Sequence, residues 1–162
     1  GSAMIAGSGG KMNCGAGATE NAALAAGVGS SPTPNTLSEE YNGTTWATGG
    51  ILGDKKTRGT TTGTQNAAVV MDGLGGSSDD VALHYDGIGW SAGGTSVHNK
   101  WDLASSAGLQ SAALKFGGDS QLSCTEEYNA PFTLSGSFGR VEATYIEGDA
   151  SEISRKVFRY VF

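Results

Sequence analysis

The chain has 162 residues with a formal net charge of −6, and 27 of its residues are glycine. The acidic balance argues against a nucleic-acid partner, because no basic stripe is present to neutralise phosphates. No apolar run approaches the roughly 18 residues that a membrane-spanning helix needs, so we expect no membrane insertion. The glycines lack the three-residue period of collagen, and regularly spaced aromatic residues argue against disorder.

The first four residues, 1–4, have the character of a cloning remnant and are left outside the predicted fold. The residues after them do not show the charged, apolar and small-residue succession of a secretory signal, so none is predicted.

From residue 5 onward the sequence repeats itself about every 45 residues. Asn-Ala-Ala-Leu at 21–24 returns as Asn-Ala-Ala-Val at 66–69 and as Ser-Ala-Ala-Leu at 111–114. A fixed period of this length is typical of a repeat architecture. We therefore predict three repeats within 5–136, at about 5–50, 51–94 and 95–136, followed by a C-terminal β tail at 137–162. Each repeat carries aromatic residues at a similar offset, namely Tyr41 with Trp46, Tyr85 with Trp90, and Tyr128 with Phe132.

The second repeat shows four short strands most clearly. Its first segment alternates threonine and glycine like an edge strand, and its second is apolar enough for burial on both faces. Asp86-Gly87 is a strong signal for a tight turn before the last strand. No stretch keeps a 3.6-residue apolar period, so very little helix is expected. The predicted strands are 57–65, 66–71, 81–85 and one that begins at Trp90 and ends at the glycine pair 93–94.

Four antiparallel strands per repeat, with a glycine pair and spaced tyrosine and tryptophan, is the pattern of a propeller blade. Gly75-Gly76, Tyr85-Asp86 and 87–90 resemble a kelch repeat closely. The other repeats depart from it: the first has Gly-Val-Gly at 27–29 where the glycine pair should fall, and the third has Pro131-Phe132 in place of tryptophan. The resemblance implies an all-β fold of kelch-like β-propeller blades, about three four-stranded antiparallel blades per chain.

The amino-acid sequences of the repeats support a more specific resemblance than the general kelch pattern does. Segments 41–46, 63–68 and 125–129 resemble repeats in tail-fibre and other virion proteins of marine bacteriophages, especially cyanophages. Segment 135–143, followed by 146–151, resembles a connector in such fibre proteins. Together these resemblances span about residues 12–153. They imply a phage structural or adhesion protein located in the virion.

Within such blades, most of the conspicuous residues are expected to be structural. The alanine pairs at 22–23, 67–68 and 112–113 would let inner strands crowd near a central axis. The tyrosines and tryptophans would fill the gap between adjacent blades.

Three blades are too few for a closed propeller, which typically has four to eight. The array is therefore expected either to close by homo-oligomerisation, as a dimer or trimer, or to be an open part of something longer. The 26-residue tail cannot support a core of its own. Its aromatic residues Phe158, Tyr160 and Phe162 are the candidates for packing on the blades or between subunits.

One aromatic residue breaks the period and suggests a ligand site. Trp101 aligns with Lys56 and Lys11, and a position that is twice lysine is predicted to face solvent. An exposed tryptophan among hydrogen-bonding groups suits stacking on a sugar ring; the competing interpretation is packing against a neighbouring subunit or the blade edge. The candidate glycan-binding residues are Trp101, His98, Asn99 and Lys100, with Asp79 and Asp80 from the loop between second and third strands.

Signals for catalysis or a metal are weak, and no catalytic residue, cofactor or resident metal is predicted. The pairs Glu39-Glu40 and Glu126-Glu127 recur with the period and are expected on solvated strand edges. Adjacent strand residues point to opposite faces, so these are not the facing carboxylates of a glycosidase. Asp54 with Asp79-Asp80 offers oxygen ligands for Ca²⁺, but nothing fixes a coordination geometry. Cys14 and Cys124 are either two buried small residues or a bridge between repeats.

We therefore expect a phage virion or tail-fibre-like protein that recognises a host-surface glycan without covalent chemistry. The alternatives are a structural spacer or oligomerisation module without a ligand, and a carbohydrate-active enzyme.

Overall fold

A computed structural model describes residues 2–5, 14–28, 36–73, 76–77, 79–96, 104–118 and 125–129. These residues form three sheets in chain order, and each sheet is an antiparallel meander. Sheet 1 contains β1 (Cys14–Thr19), β2 (Ala22–Val28), β3 (Leu37–Tyr41) and β4 (Trp46–Ile51). Sheet 2 contains β5 (Thr60–Thr64), β6 (Ala67–Met71), β7 (Val81–Tyr85) and β8 (Trp90–Thr95). Sheet 3 contains β9 (Ser105–Leu109), β10 (Ala112–Phe116) and β11 (Thr125–Asn129).

The prediction of an all-β chain built from short antiparallel sheets is confirmed. The four strands predicted for the second repeat are all present, and the glycine pair 93–94 lies inside β8 rather than after it. The fourth strand of the third repeat and the tail fall outside the described residues. Closure of a ring and oligomerisation stay predictions.

The predicted tight turn has a clear physical cause. The Asp86 side chain accepts hydrogen bonds from the backbone N–H groups of Ile88 (2.9 Å) and Gly89 (2.8 Å), and Gly87 has a φ of 90°. These N–H donors lower the pKa of Asp86. Asn42 builds the same turn between β3 and β4, with Gly43 at a φ of 89°. Side-chain caps of this kind let glycine take the left-handed conformation that joins adjacent strands.

The sheets approach one another most closely through their first strands, because β5 packs against β1 on one side and β9 on the other. The expectation that the alanine pairs mark the crowded inner strands is therefore wrong. Those alanines lie one strand further out, in β2, β6 and β10. The first strands instead carry glycine, serine and threonine, and Thr60, Thr61 and Thr62 are buried. Thus β5 is an edge of its own sheet, but it is covered by its neighbours.

Second strands form the core between the sheets. Leu24 of β2 packs against Ala68 and Tyr85 of sheet 2. Val69 and Met71 of β6 pack in turn against sheet 3. Each fully buried aliphatic side chain contributes roughly 1.5–3 kcal/mol. Neighbouring positions on β6 therefore face opposite sheets, which is why this strand is apolar on both faces.

All described residues belong to one unit, residues 1–132. Among them, no helix has the length and apolar character to cross a membrane.

Candidate functional site

The polar side chains of this protein converge on the junctions between sheets, and these junctions are the candidate functional site. The junction between sheets 1 and 2 and the junction between sheets 2 and 3 use related contacts, about 45 residues apart. We call the face of a sheet toward the preceding sheet its leading face and the opposite face its trailing face.

A glutamine in the first turn of a sheet ties it to the sheet before. The Gln65 side-chain amide donates from Nε2 to the backbone carbonyl oxygens of Ala23 (3.2 Å) and Tyr41 (2.8 Å). In the next junction, Gln110 Nε2 donates at 2.9 and 2.6 Å to the carbonyl oxygens of Ala68 and Tyr85. One amide thus joins two strands of the preceding sheet, satisfying carbonyl groups that would be costly to bury unpaired.

A tyrosine from the third strand reaches into the preceding sheet in both junctions. The Tyr85 hydroxyl donates to Glu40 Oε1 at 2.5 Å, and burial followed by this bond raises the pKa of Tyr85 to about 12. The Tyr128 hydroxyl lies 2.7 Å from His84 Nε2 and accepts the Gly94 N–H at 2.9 Å. Burial lowers the pKa of His84, which favours a neutral ring able to accept the hydroxyl proton.

A tryptophan strengthens the first junction. Trp90 Nε1 donates to Ser38 Oγ at 3.0 Å, and this hydroxyl donates in turn to the Gly50 carbonyl oxygen at 2.6 Å. The Trp90 ring also packs on Tyr85, with ring centroids 4.9 Å apart. Packing of aromatic residues between neighbouring sheets is therefore observed for Tyr85, Trp90 and Tyr128.

A buried ion pair distinguishes the second junction. Lys115 Nζ lies 2.6 Å from Asp72 Oδ2 and 3.1 Å from Glu126 Oε2, and Ser96 Oγ donates to Asp72 Oδ1 at 2.8 Å. Lys115 and Asp72 are 1% and 0% exposed. Burial raises the pKa of Asp72, while the bonds from Lys115 and Ser96 lower it in opposition.

Asp72 also stands in an unusual backbone position. Its φ is 56°, and the equivalent positions in the other repeats are Gly27 and Gly117, both at a φ of 70°. A left-handed conformation is comfortable for glycine and strained for a residue with a side chain. The strain is offset by the carboxylate that Asp72 supplies to Lys115.

The first strands are joined by hydroxyl groups. Thr60 Oγ1 and Ser106 Oγ are 2.6 Å apart, and Thr62 Oγ1 donates to the Gly108 carbonyl oxygen at 2.8 Å. Cys14 is buried beside this layer with a free thiol, and burial raises its pKa to about 11. Its predicted alternative partner, Cys124, lies outside the described residues.

The predicted solvent position of Lys56 is wrong. Lys56 is fully buried, and its Nζ donates to the Asp79 carbonyl oxygen at 3.2 Å. Burial lowers the pKa of Lys56. The negative charges of four aspartates act in the opposite direction, and that of Asp54 is the strongest of them. Since Lys56 supported the exposure predicted for Trp101, that support is lost.

The predicted solvated edges are also wrong for Glu39, which is 2% exposed and accepts the Ile5 N–H at 2.8 Å. The reason is topological: β3 lies between β2 and β4 rather than at an edge. Glu40 is half-buried under Tyr85, Glu126 is half-buried beside Lys115, and Glu127 is exposed.

Of the predicted ligand-binding residues, the structure places only Asp79 and Asp80. Asp79 Oδ1 accepts the Gly76 N–H at 3.0 Å, and the Asp80 carbonyl oxygen accepts the Ser96 N–H at 2.8 Å. Asp79 thus organises its own loop, and the Asp80 backbone binds the residue that follows β8. In the described ranges, no cluster of three or more His, Cys, Asp or Glu side chains could hold a metal ion. The remaining candidates, His98, Asn99, Lys100 and Trp101, and the oligomerisation candidates Phe158, Tyr160 and Phe162, lie outside the described residues.

The trailing face of sheet 3 carries the same apolar positions as the trailing faces before it. Val69 and Met71 of sheet 2 are 0% and 1% exposed under sheet 3. Leu114 and Phe116 occupy their positions in sheet 3 and are 37% and 40% exposed.

The leading face of sheet 1 is the other end of the described stack. Tyr41 and Trp46 pack against each other there, with ring centroids 5.1 Å apart, and both are half-buried. A groove of about 640 Å³ borders Trp46 and is lined by Gly17 and Ala23 of sheet 1, but also by Thr61 of β5 and Ser106 of β9.

Glutamines 65 and 110 and the Asp72–Lys115 pair are the functional residues that the sequence prediction missed. The repeat alignment contains features that mark them. The two glutamines are about 45 residues apart, and Asp72 stands where the other repeats have glycine. No protein-family model matches the chain, and no curated protein matches it. The function is therefore argued from the contacts themselves.

Proposed function

We propose that the chain is a non-catalytic structural module of a fibre-like virion assembly, in which stacked sheets form a rigid spacer. One observation carries this proposal. Polar and charged side chains at the junctions bind one sheet to the next, among them Gln65, His84, Gln110 and Lys115.

Such a stack is suited to the role of a rigid spacer, because each sheet is stabilised mainly by its immediate neighbours. Stability in a linear repeat array is approximately the sum of repeat and nearest-neighbour terms. Each uncharged hydrogen bond between sheets adds about 1 kcal/mol, and the buried apolar contacts add more. The virion location is part of the proposal and is supported by the resemblance of the repeats to phage tail-fibre proteins.

The test is to weaken the junctions and follow thermal unfolding by circular dichroism. Gln65→Ala and Gln110→Ala each leave two carbonyl oxygens at a junction without the amide donor, so we expect a loss of roughly 1–3 kcal/mol in each variant. Asn66→Ala is the matched control, because Asn66 is exposed in the same turn as Gln65. Unfolding temperatures equal to the parent in both glutamine variants would contradict the proposal.

Glycan recognition stays a prediction, since its central residue Trp101 lies outside the described residues. A glycan array with the parent chain and Trp101→Ala addresses it directly. Binding that is lost in the variant, at an unchanged unfolding temperature, would make adhesion the function and the stack its support.

A further inference from the structure

We propose that a second copy of this chain docks head to tail, with the leading face of its sheet 1 covering the trailing face of sheet 3. The inference rests on the proposed structural function and names the partner. Its basis is that the junction already occurs twice inside the chain, and the two terminal faces hold matching halves of a third.

The apolar parts match first. Inside the chain, Ala113 and Tyr128 cover Val69 and Met71. In a junction between copies, Ala23 and Tyr41 of the second copy take the positions of Ala113 and Tyr128. They would cover Leu114 and Phe116, the two large apolar residues of β10 that are exposed.

The tryptophan and its hydroxyl acceptor match next. Three residues before the tyrosine, the repeats have Ser38, Ala82 and Thr125; five residues after it, they have Trp46, Trp90 and Thr133. The first internal junction combines Ser38 with Trp90 and forms the hydrogen bond. In the second, Ala82 offers no hydroxyl group to accept such a bond. A junction between copies combines Thr125 with Trp46, so both halves are present again.

The tyrosine hydroxyl and its acceptor also have counterparts on the two terminal faces. The residue before each tyrosine is Glu40, His84 or Glu127, and the first two bind the hydroxyl of the next sheet. Glu127 is exposed on the trailing face of sheet 3, where the Tyr41 hydroxyl of a second copy would donate to it. In the described stack, the Tyr41 hydroxyl donates to the Gly43 carbonyl oxygen of its own turn.

Two positions do not match. The first is Glu39, on the same face as Tyr41, which residues 2–5 already cover through the bond from the Ile5 N–H. The second is Glu20, which supplies the sharpest test. Glu20 stands where the other repeats have Gln65 and Gln110. An ionised carboxylate has no proton to donate, so it cannot bind the carbonyl oxygens of Ala113 and Tyr128 as an amide would. Glu20 therefore weakens the junction between copies relative to those inside the chain and keeps it reversible.

The number of copies follows from closure. Two chains contribute six sheets, which lies within the roughly four to eight of closed propellers, whereas three chains would exceed that range. A head-to-tail contact also needs a closed ring to avoid growing into an open filament. We therefore expect a dimer with two identical junctions.

Sedimentation equilibrium of the full chain over a range of concentrations tests the proposal. We expect a monomer–dimer equilibrium. Glu20→Gln should lower the dissociation constant at least about tenfold, because an amide can restore two hydrogen bonds in each of the two junctions. Leu114→Asp should raise it about a hundredfold by placing a charge in the apolar contact. Ile88→Asp is the matched control, since Ile88 is an exposed apolar residue in the β7–β8 turn, and it should leave the equilibrium unchanged.

Mixing two defective variants tests the head-to-tail polarity. In a mixed dimer of Leu114→Asp and Ala23→Asp, one junction joins two unaltered faces and the other joins the two altered faces. The mixture should therefore form a dimer that is tighter than either variant's own dimer and weaker than that of the parent. A mixture without such a dimer would overturn the proposal. Monomers at every concentration, in both the parent and Glu20→Gln, would also overturn it. The trailing face of sheet 3 would then be left to the chain's own residues 130–162 or to another ligand. The structural function would survive those results if Gln65→Ala and Gln110→Ala still lower the unfolding temperature.

Discussion

Replacing Lys115 with methionine removes the cation from the buried pair while keeping most of the side-chain volume. Asp72, which is 0% exposed, then loses its bond of 2.6 Å to Lys115 and retains the bond from Ser96 Oγ. Removing one partner of a buried pair costs roughly 3–5 kcal/mol. Because Asp72 keeps one hydrogen bond and can take up a proton, we expect the lower limit, about 3 kcal/mol at pH 7. For a chain of this size that is a fall of roughly 6–12 °C in unfolding temperature.

The cost should depend on pH with a defined sign. Burial already raises the pKa of Asp72 above its ordinary value, and loss of Lys115 raises it further. A carboxyl group whose pKa is higher in the folded state favours folding as it becomes protonated, so its contribution is present at low pH and lost as pH rises. The destabilisation by Lys115→Met should therefore shrink as pH falls from 7 toward 5, by at most about 1.4 kcal/mol per pH unit.

Denaturant unfolding of four variants separates the ion pair from its surroundings. Lys55→Met is the control, because Lys55 is exposed, and it should stay within about 0.5 kcal/mol of the parent. Asp72→Gly removes the carboxylate and relieves about 1 kcal/mol of left-handed strain. Combined with Lys115→Met, it should recover at least about 1 kcal/mol relative to the sum of the single changes. Strict additivity, or a Lys115→Met protein as stable as the control, would refute the reasoning.

Three further outcomes are expected. Tyr128→Phe should cost about 1–2 kcal/mol in urea unfolding, because its hydroxyl makes two bonds between sheets, whereas Tyr41→Phe loses one bond within a turn and should cost less; equal costs would contradict this. Burial lowers the pKa of His84 from 6.5, so stability should fall as pH drops below that value, and His84→Gln should remove this part of the pH dependence in acid titration. With Cys124→Ser as background, iodoacetamide should alkylate Cys14 at pH 8 roughly a hundredfold more slowly in folded than in unfolded protein, since burial raises its pKa to about 11; equal rates would show that the thiol is accessible.

Local patterns predicted the strands and their turns well. Residues 81–85 were predicted as a strand and form β7, and Asp86-Gly87 was predicted as the turn that Asp86 caps. These features depend on neighbouring residues, so composition and spacing are enough to find them.

Local sequence patterns did not predict the contacts between sheets. Lys115 and Asp72 are 43 residues apart, and each alone has the character of a solvated surface residue. Lys56 was placed in solvent for the same reason, although burial of its side chain depends on loops that meet only in the folded chain. A departure from the period, such as aspartate in place of Gly27 and Gly117, is the sequence feature that marks such a contact.

The ion pair also fixes the order of the repeats. Deleting one whole period, residues 66–110, would place Ser111 directly after Gln65, and the amide bonds to sheet 1 would remain available. The Tyr128 hydroxyl would meet Glu40 as Tyr85 does now. Lys115, however, would face Gly27 and lose its carboxylate from the preceding sheet. Recombination that changes the number of repeats in the gene is therefore compatible with the glutamine and tyrosine contacts. The lost carboxylate partner of Lys115 and the lost Trp90–Ser38 bond penalise loss of the middle repeat.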